Sequence, residues 1–244
     1  MNSSFEYIYG PHSVLSCIKA SKRKIYEIFI IKGNKNTKEI EALALKKKIQ
    51  ITYSDKNHLF SLLRTKNHQG VCARVSYLPE LSLNNILDTT EKTYDFIVIL
   101  DNIEDPRNFG AIVRSAFCLG ADAVIIPEKR SSSPSPLVSK VSAGAIEYID
   151  IVSVVNIAKA LDELKKNGYW AAGLAAEGSI NIGELDIAAP FCLVIGNEGS
   201  GIRKLVREKC DWLVNIPQGT LVSSLNASVA AGIGIYELVK KIKR

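Results

Sequence analysis

The chain lacks any apolar run long enough for a bilayer. "FIVIL" at 96–100 and "AVII" at 123–126 are strand-sized, far short of the roughly 20 residues that a spanning helix needs. The opening "MNSSFEYIYG" joins no basic stretch to an apolar one, so no secretory signal is expected and the setting reads as cytoplasmic. Cysteine is sparse. Cys17, Cys72, Cys118, Cys192 and Cys210 are scattered, odd in number and form no CxxC pair, which argues against a disulfide framework and against a zinc or other metal site. They read as reduced packing residues. Histidine is limited to His12, His58 and His68, all in the first third. Catalysis in the remainder has no imidazole to draw on.

A phosphate cradle is also missing. "LVIGNEGSGIR" at 193–203 drops from an apolar run into glycines, but Glu198 sits at its centre and the Gly-Lys-Ser/Thr ending of a P-loop is absent. No GxGxxG follows the first strand of the larger region, and no acidic residue lies at the distance that a dinucleotide fold requires.

What is present is a globular composition. The 244 residues are 47% hydrophobic, enough for one large or two modest domains with a real core. The net charge of +6 is uneven: residues 1–80 carry 14 Lys and Arg against 6 Asp and Glu, a net of +8, leaving 17 against 19, or −2, for the rest. The basic third is a candidate nucleic-acid contact. Charge alone leaves open a lysine-rich solvated surface, as in "KASKRK" and "LKKKIQ".

Short helical and strand patterns alternate through residues 1–78 ("PHSVLSCIKA", "YEIFIIK", "NTKEIEALALKKK", "IQITYS", "HLFSLL", "GVCARVSYL") and predict a small α/β unit. The polar stretch 79–94 reads as a linker or short connecting helix. From 95 to 244, strands alternate with helices: "FIVIL", a helix over about 108–119, "ADAVIIP", a helix near "PLVSKVSAGAIEYI", "IDIVSVV", "NIAKALDELKKNG", "WAAGLAA" and "FCLVIG". This is the pattern of an α/β fold with a mostly parallel sheet covered on both faces, a class that binds ligands at the carboxyl ends of its strands. "EKRSSSPSP" after the second of these strands reads as a mobile loop, a connector rather than a lid. The C-terminal "SSLNASVAAGIGIYELV" predicts a helix whose Gly232 and Gly234 cost stability and ask for close packing, in the core or against a second copy.

On the residues alone, Asn108 reads as a helix cap, Arg114 as a surface ion-pair partner and Ser224 as a cap before "LNASVAAG". Three stretches, however, occur together: "NIEDPRNFGAIVRSAFCLGADAVII" at 102–126, "LVIGNEGSGIRK" at 193–204 and "VNIPQGTLVSSLNASVAAGIGIYE" at 214–237. Their order and spacing resemble the three motifs of the SpoU (TrmH) family of RNA ribose 2′-O-methyltransferases, over residues 95–244. "YGPHSVLSCI" and "NHQGVCARV" resemble the RNA-binding front domain of the members that methylate guanosine in large-subunit (23S) ribosomal RNA.

The resemblance implies a trefoil-knotted methyltransferase domain, a homodimer, RNA as partner and S-adenosylmethionine as cofactor. The glycine loop then meets a cationic ligand, beside which a carboxylate is tolerable. It implies cofactor contacts from Gly196, Ile216 and Leu225, and functional roles for Asn108, Arg114, Glu198, Ser224 and Asn226. Arg114, inside the apolar "AIVRSAF", suits a phosphate clamp; as a general base it is disfavoured, because a guanidinium resists deprotonation. Lys140, Ser142 and Gly144 also match the family and are given a structural role, and His68 is expected to bond backbone. One departure is Thr220, where the family commonly has glycine; Gly219 falls one position earlier. Two other functions stay open at this point: a tRNA ribose methyltransferase, whose kind generally lacks this front domain, and a non-catalytic RNA-binding protein keeping the fold.

Overall fold

The computed structural model describes residues 5–219 and 225–242. Two compact units form, one from residues 1–79 and 134–148, the other from residues 80–133 and 149–244. Thr220 and Ser224 lie outside the described residues.

The first unit begins β1 (Glu6–Tyr9), α1 (Pro11–Ala20), β2 (Ile25–Ile31), α2 (Lys38–Lys46), β3 (Ile51–Ser54), α3 (Lys56–Leu63) and β4 (Val71–Val75). Its sheet runs β1-β4-β2-β3, with β2 and β3 parallel and the other pairs antiparallel. Strand side chains alternate between faces, and the sequence alternates to match. Ile8, Ile28, Ile30, Val71 and Ala73 join Val14, Cys17 and Ile18 of α1 and Ile40 and Ala44 of α2 on one face. Tyr9, Phe29 and Cys72 join Leu59 of α3 on the other.

The second unit starts with α4 (Leu83–Leu87), β5 (Phe96–Asp101), α5 (Pro106–Leu119) and β6 (Ala123–Pro127). The chain then contributes α6 (Pro136–Val141) and a 3-10 turn at Ala145–Glu147 to the first unit. It resumes the second with β7 (Asp150–Val154), α7 (Ile157–Lys166), β8 (Trp170–Leu174), β9 (Ile180–Asn181), β10 (Phe191–Gly196), α8 (Lys204–Arg207), β11 (Trp212–Asn215) and α9 (Ala227–Ile242). The sheet order is β7-β6-β5-β10-β8-β11-β9 and every pairing is parallel. β5 and β10, side by side at its centre, are buried at every residue, as unbroken apolar strands in a sheet covered on both faces should be. Ile97, Ile99, Cys192 and Val194 pack with Ile157, Leu161 and Leu164 of α7. On the opposite face, a Cβ on Gly234 of α9 would lie 3.1 Å from Leu193 and 3.4 Å from Leu174, so that glycine serves close helix-to-sheet packing.

Three expectations change in detail. α5 begins at Pro106 and is capped by Asp105, whose side chain accepts from the Arg107 N–H; Asn108 lies inside the first turn, so it is no cap and its amide is free for other work. The stretch at 79–94 does hold a short helix, α4, but it also docks on the sheet: Leu81 and β7 exchange backbone bonds of 2.8 Å through Ile151 and Ser153. Serines of the loop after β6 are tied down rather than loose, with Ser132 N–H and Ser131 Oγ both donating to the Ile103 carbonyl.

Residues 134–148 are fastened within the first unit. Ser13 Oγ donates to the Ser139 carbonyl at 3.0 Å. Arg23, almost fully buried, bonds the wholly buried Glu147 through Nε at 3.0 Å and again through its second terminal nitrogen, and reaches Glu6 at 2.5 Å. Lys140 donates to Gln69, and Ser142 Oγ to the Ser139 carbonyl. A Cβ on Gly144 would meet Ser16 and the His12 carbonyl.

Candidate functional site

At the carboxyl ends of β8, β10 and β11 a cavity of about 360 Å³ opens in the second unit. Its apolar wall comes from Leu174, Ile195, Ile202, Ile216, Leu225 and Ala230, and its polar rim from Glu177 and the 197–201 loop. Gly196, Ile216 and Leu225 all line it.

The glycine loop approaches its own chain. Asn197 and Gly201 exchange backbone hydrogen bonds of 3.1 and 2.9 Å, which folds 197–201 into a tight loop. A Cβ on Gly196 would lie 2.2 Å from the Gly201 carbonyl carbon and 2.3 Å from the Ile202 nitrogen, so no larger residue fits there. Gly201 itself turns at φ +65°, a left-handed conformation that glycine adopts without steric cost. Inside the loop, Asn197 Oδ1 accepts from Gly199 N–H at 2.9 Å, and its amide nitrogen donates to the Asn102 carbonyl at 2.9 Å. Asn102 is left-handed too, at φ 62°, and its Oδ1 is buried without a hydrogen-bond partner among the described residues.

The outgoing end of the loop is anchored by a carboxylate that sequence reasoning passed over. Asp101, fully buried at the end of β5, accepts from the Arg203 backbone N–H at 2.8 Å and from its Nε at 2.7 Å. A charged residue closing a wholly apolar strand was the available signal, since a buried carboxylate requires a partner.

Three predicted residues converge. Asn108 Nδ2 donates to Glu198 Oε1, and Asn226 Nδ2 donates to Asn108 Oδ1 at 3.1 Å. Asn226 Oδ1 in turn accepts from the backbone of Ser228 at 2.9 Å and of Val229 at 3.4 Å, holding the start of α9. The result is a directed chain, Asn226 to Asn108 to Glu198, linking α9, α5 and the glycine loop. Glu198 lines the cavity, and Asn226 stands between its lining residues Leu225 and Ala227.

Arg114 does not join them. It is exposed on α5, with no hydrogen bond or ion pair among the described residues. Six residues at about 100° each rotate it about 120° away from Asn108 around the helix. At the cavity rim, Glu177 pairs with Arg207, and its carboxyl is held below the ordinary range first by a backbone hydrogen bond and then by that arginine. Burial pushes the thiols of Cys17, Cys72 and Cys210 up to about 12, so none is a ready nucleophile. Among the described residues no His, Cys, Asp and Glu cluster could hold a metal, and no helix is long and apolar enough to cross a membrane.

Two family models match the chain: the SpoU rRNA Methylase family over residues 95–236, and RNA 2′-O ribose methyltransferase substrate binding over residues 7–81. A Pseudomonas putida protein, the 23S rRNA (guanosine-2′-O-)-methyltransferase RlmB, is 36% identical, with 98% of each chain covered. The RlmB of Coxiella burnetii is also 36% identical, over 98% of this chain and 97% of its own. Among solved structures, the SpoU methyltransferase AviRb from Streptomyces viridochromogenes, in complex with AdoMet, superposes with a TM-score of 0.82 at 24% identity, covering 98% of this chain and 90% of its own.

Proposed function

The chain belongs to the SpoU rRNA methylase family, and from that premise we propose that it is an S-adenosylmethionine-dependent methyltransferase acting on a ribose 2′-hydroxyl of RNA. The substrate in this reading is a guanosine of large-subunit (23S) ribosomal RNA, which places its work in the cytoplasm. The observation that carries it is the cavity at the strand ends with the Glu198–Asn108–Asn226 chain on its rim.

The residues present fit the cofactor. Leu174, Ile195, Ile216, Leu225 and Ala230 form an apolar slot for an adenine face. Gly196 keeps the backbone low enough for main-chain groups to reach its edges, and the Glu177 and Glu198 carboxylates suit a cationic ligand. When bound, S-adenosylmethionine supplies an activated methyl, whose transfer forms a bond to the 2′-oxygen, breaks one to the sulfonium sulfur and releases the hydroxyl proton. Glu198, fixed by Asn108, orients groups at the rim. Asn226 links that rim to α9. Ser224 belongs to the same set on the strength of its motif. Arg114 holds the neighbouring phosphate through a two-pronged guanidinium and stabilises negative charge developing on the oxygen.

The reading includes a homodimer. Val229, Ile233 and Tyr236 of α9, spaced by four and three residues, are 49%, 37% and 52% exposed, and Phe117 of α5 is 39% exposed. Such a stripe on one helix face suits a second copy. Arg114 precedes Phe117 by three residues and so neighbours it on α5, which brings Arg114 into that interface and within reach of a shared site. The trefoil knot is also part of the reading; Gly178, in the loop between β8 and β9, suits it, since a Cβ there would lie 2.5 Å from the Val214 carbonyl carbon of β11, so that this loop runs hard against that strand. The front domain, over residues 1–78, favours ribosomal over transfer RNA.

Calorimetric titration with S-adenosylmethionine, with S-adenosylhomocysteine as comparison, tests the reading, followed by mapping of 2′-O-methylation on 23S RNA. Saturation near one per subunit and one methylated guanosine are expected. A folded chain that binds neither ligand, with RNA supplied, leaves only an RNA-binding protein.

A further inference from the structure

The first unit carries a second cavity, of about 800 Å³, lined by Ile31, Asn34, Lys56, Asn57, Phe60, Lys66, His68, Gln69 and Gly70. Nothing in the chemistry described so far uses it. We propose that this cavity is a binding site for a single unpaired RNA nucleotide, its base on Phe60 and its phosphates on Lys56 and Lys66.

The lining is of one sign. It includes two lysines and no carboxylate, and neither lysine has an ion-pair partner among the described residues. Phe60 is 41% exposed although it lies on α3, which offers a ring face where a solvated helix would carry a polar side chain. Asn34, Asn57 and Gln69 line the same cavity. A cationic, aromatic and amide-lined hollow is what an unstacked nucleotide needs, since a base held in a duplex shows neither its face nor its pairing edge.

One wall is built for a fixed shape. His68 is 94% buried, and its Nδ1 accepts from the Gly70 backbone N–H at 3.0 Å. That bond sets the tautomer: with Nδ1 accepting, the proton sits on Nε2, which has no partner among the described residues. Burial, and after it the charge of Lys56, hold the His68 pKa below its ordinary value. Asn34 Nδ2 donates to the Gln69 carbonyl at 2.8 Å, and a Cβ on Gly70 would lie 2.4 Å from that same nitrogen. Gln69 and Gly70 are both left-handed, at φ 52° and +80°. The His68–Gly70 turn is therefore clamped, leaving one imidazole N–H to read an acceptor on the base or sugar.

This site rests on the reading of the chain as an RNA methyltransferase, and its test is separable from that reading. Binding of the full chain to a short single-stranded RNA is measured by fluorescence anisotropy across a salt series, for wild type, Phe60→Ala, the Lys56→Gln/Lys66→Gln double variant, and Lys46→Gln as an exposed charge control on α2. Circular dichroism verifies folding, which Phe60, part-exposed, should not disturb. Loss of stacking weakens affinity about 10-fold in Phe60→Ala. Loss of two phosphate contacts lowers the slope of log affinity against log salt by about 1.4 in the double variant. Lys46→Gln changes both much less. With 23S RNA as substrate, KM rises in the pocket variants while kcat holds. Variants that match wild type in affinity and salt slope overturn the site. A wild-type chain that binds RNA but transfers no methyl group overturns the enzymatic reading instead, and the affinity comparisons still decide the pocket.

Discussion

Arg203 grips the fully buried Asp101 three times, through its own backbone N–H at 2.8 Å, through its guanidinium Nε at 2.7 Å and through Nη2 at 2.5 Å. The contact joins the end of β5 to the end of the glycine loop. It fixes where the loop leaves the cavity, so the fold's stability and the shape of the cavity share one carboxylate. Asp101→Ala leaves the part-buried Arg203 N–H without its acceptor. Because the Arg203 side chain is 45% exposed, water recovers part of that loss, and the expected destabilisation is about 2 kcal/mol rather than the larger cost of a wholly buried pair. Urea denaturation reads it directly; an unchanged midpoint would show that the anchor is dispensable.

Gly196, at the end of β10, and Gly199, in the loop that follows, have opposite tolerances. At Gly196 an added Cβ meets backbone at 2.2 Å, whereas at Gly199 the nearest atom is Asn197 Oδ1 at 3.6 Å. Gly196→Ala must push 201–202 outward and should weaken S-adenosylmethionine binding by about 10-fold or more, the scale of lost shape fit in a tight site. Gly199→Ala should bind within about 2-fold of wild type, as surface changes do. Calorimetry on the pair compares like with like, and equal effects would mean that glycine content rather than close approach governs the loop.

Much of this architecture is legible in the residues. "FIVIL" and "FCLVIG" are readable as central parallel strands because burial on both faces permits no polar residue, and the alternation in "GVCARV" separates Cys72 from Val71 and Ala73 across a sheet. The site is legible where motif and geometry coincide, at Asn108, Glu198 and Asn226. Other features depend on partners distant in the chain. Asp101 and Arg203 are 102 residues apart, and the pair that draws residues 134–148 into the first unit, Arg23 with Glu147, is 124 apart. Asp105 and Asn108 are equally good caps in isolation; Pro106, favoured at the first helical position, settles the choice for Asp105. β9, only two residues long, has no periodicity to detect.

His68 gives the fold an acid-side sensitivity. Its folded pKa is lowered from 6.5, first by burial and then by Lys56. As pH falls through 6.5 the unfolded chain takes up a proton that the folded chain refuses. The contribution of His68 to stability is therefore fully present above that value and is lost as pH drops towards the folded pKa. His68→Asn keeps an acceptor for the Gly70 N–H and removes the titration. Thermal melts between about pH 5 and 7.5, a range that brackets the ordinary histidine value, should fall more steeply with acid in wild type than in the variant. Parallel slopes would reject the assignment.

Arg114 separates the two roles that the site needs. It lies outside the cavity lining, is exposed and is unpaired among the described residues, so Arg114→Ala should leave stability within about 0.5 kcal/mol of wild type, as for other exposed positions. Cofactor affinity should also hold, because the cavity proposed for it is lined by Gly196, Ile216 and Leu225 and not by Arg114. Methyl transfer should fall by about 100-fold or more, the cost of removing a donor aimed at developing charge. Arg114→Lys keeps the charge without the paired N–H groups, and should recover little if the phosphate is gripped by the two-pronged guanidinium and much if charge alone suffices. Single-turnover assays alongside calorimetry read transfer and binding separately. Parallel loss of both in Arg114→Ala would place the arginine in the slot. Loss of transfer alone is the result that a residue supplied across a dimer interface requires, and mixing Arg114→Ala chains with Gly196→Ala chains would then restore activity in heterodimers that carry one intact slot facing one intact arginine.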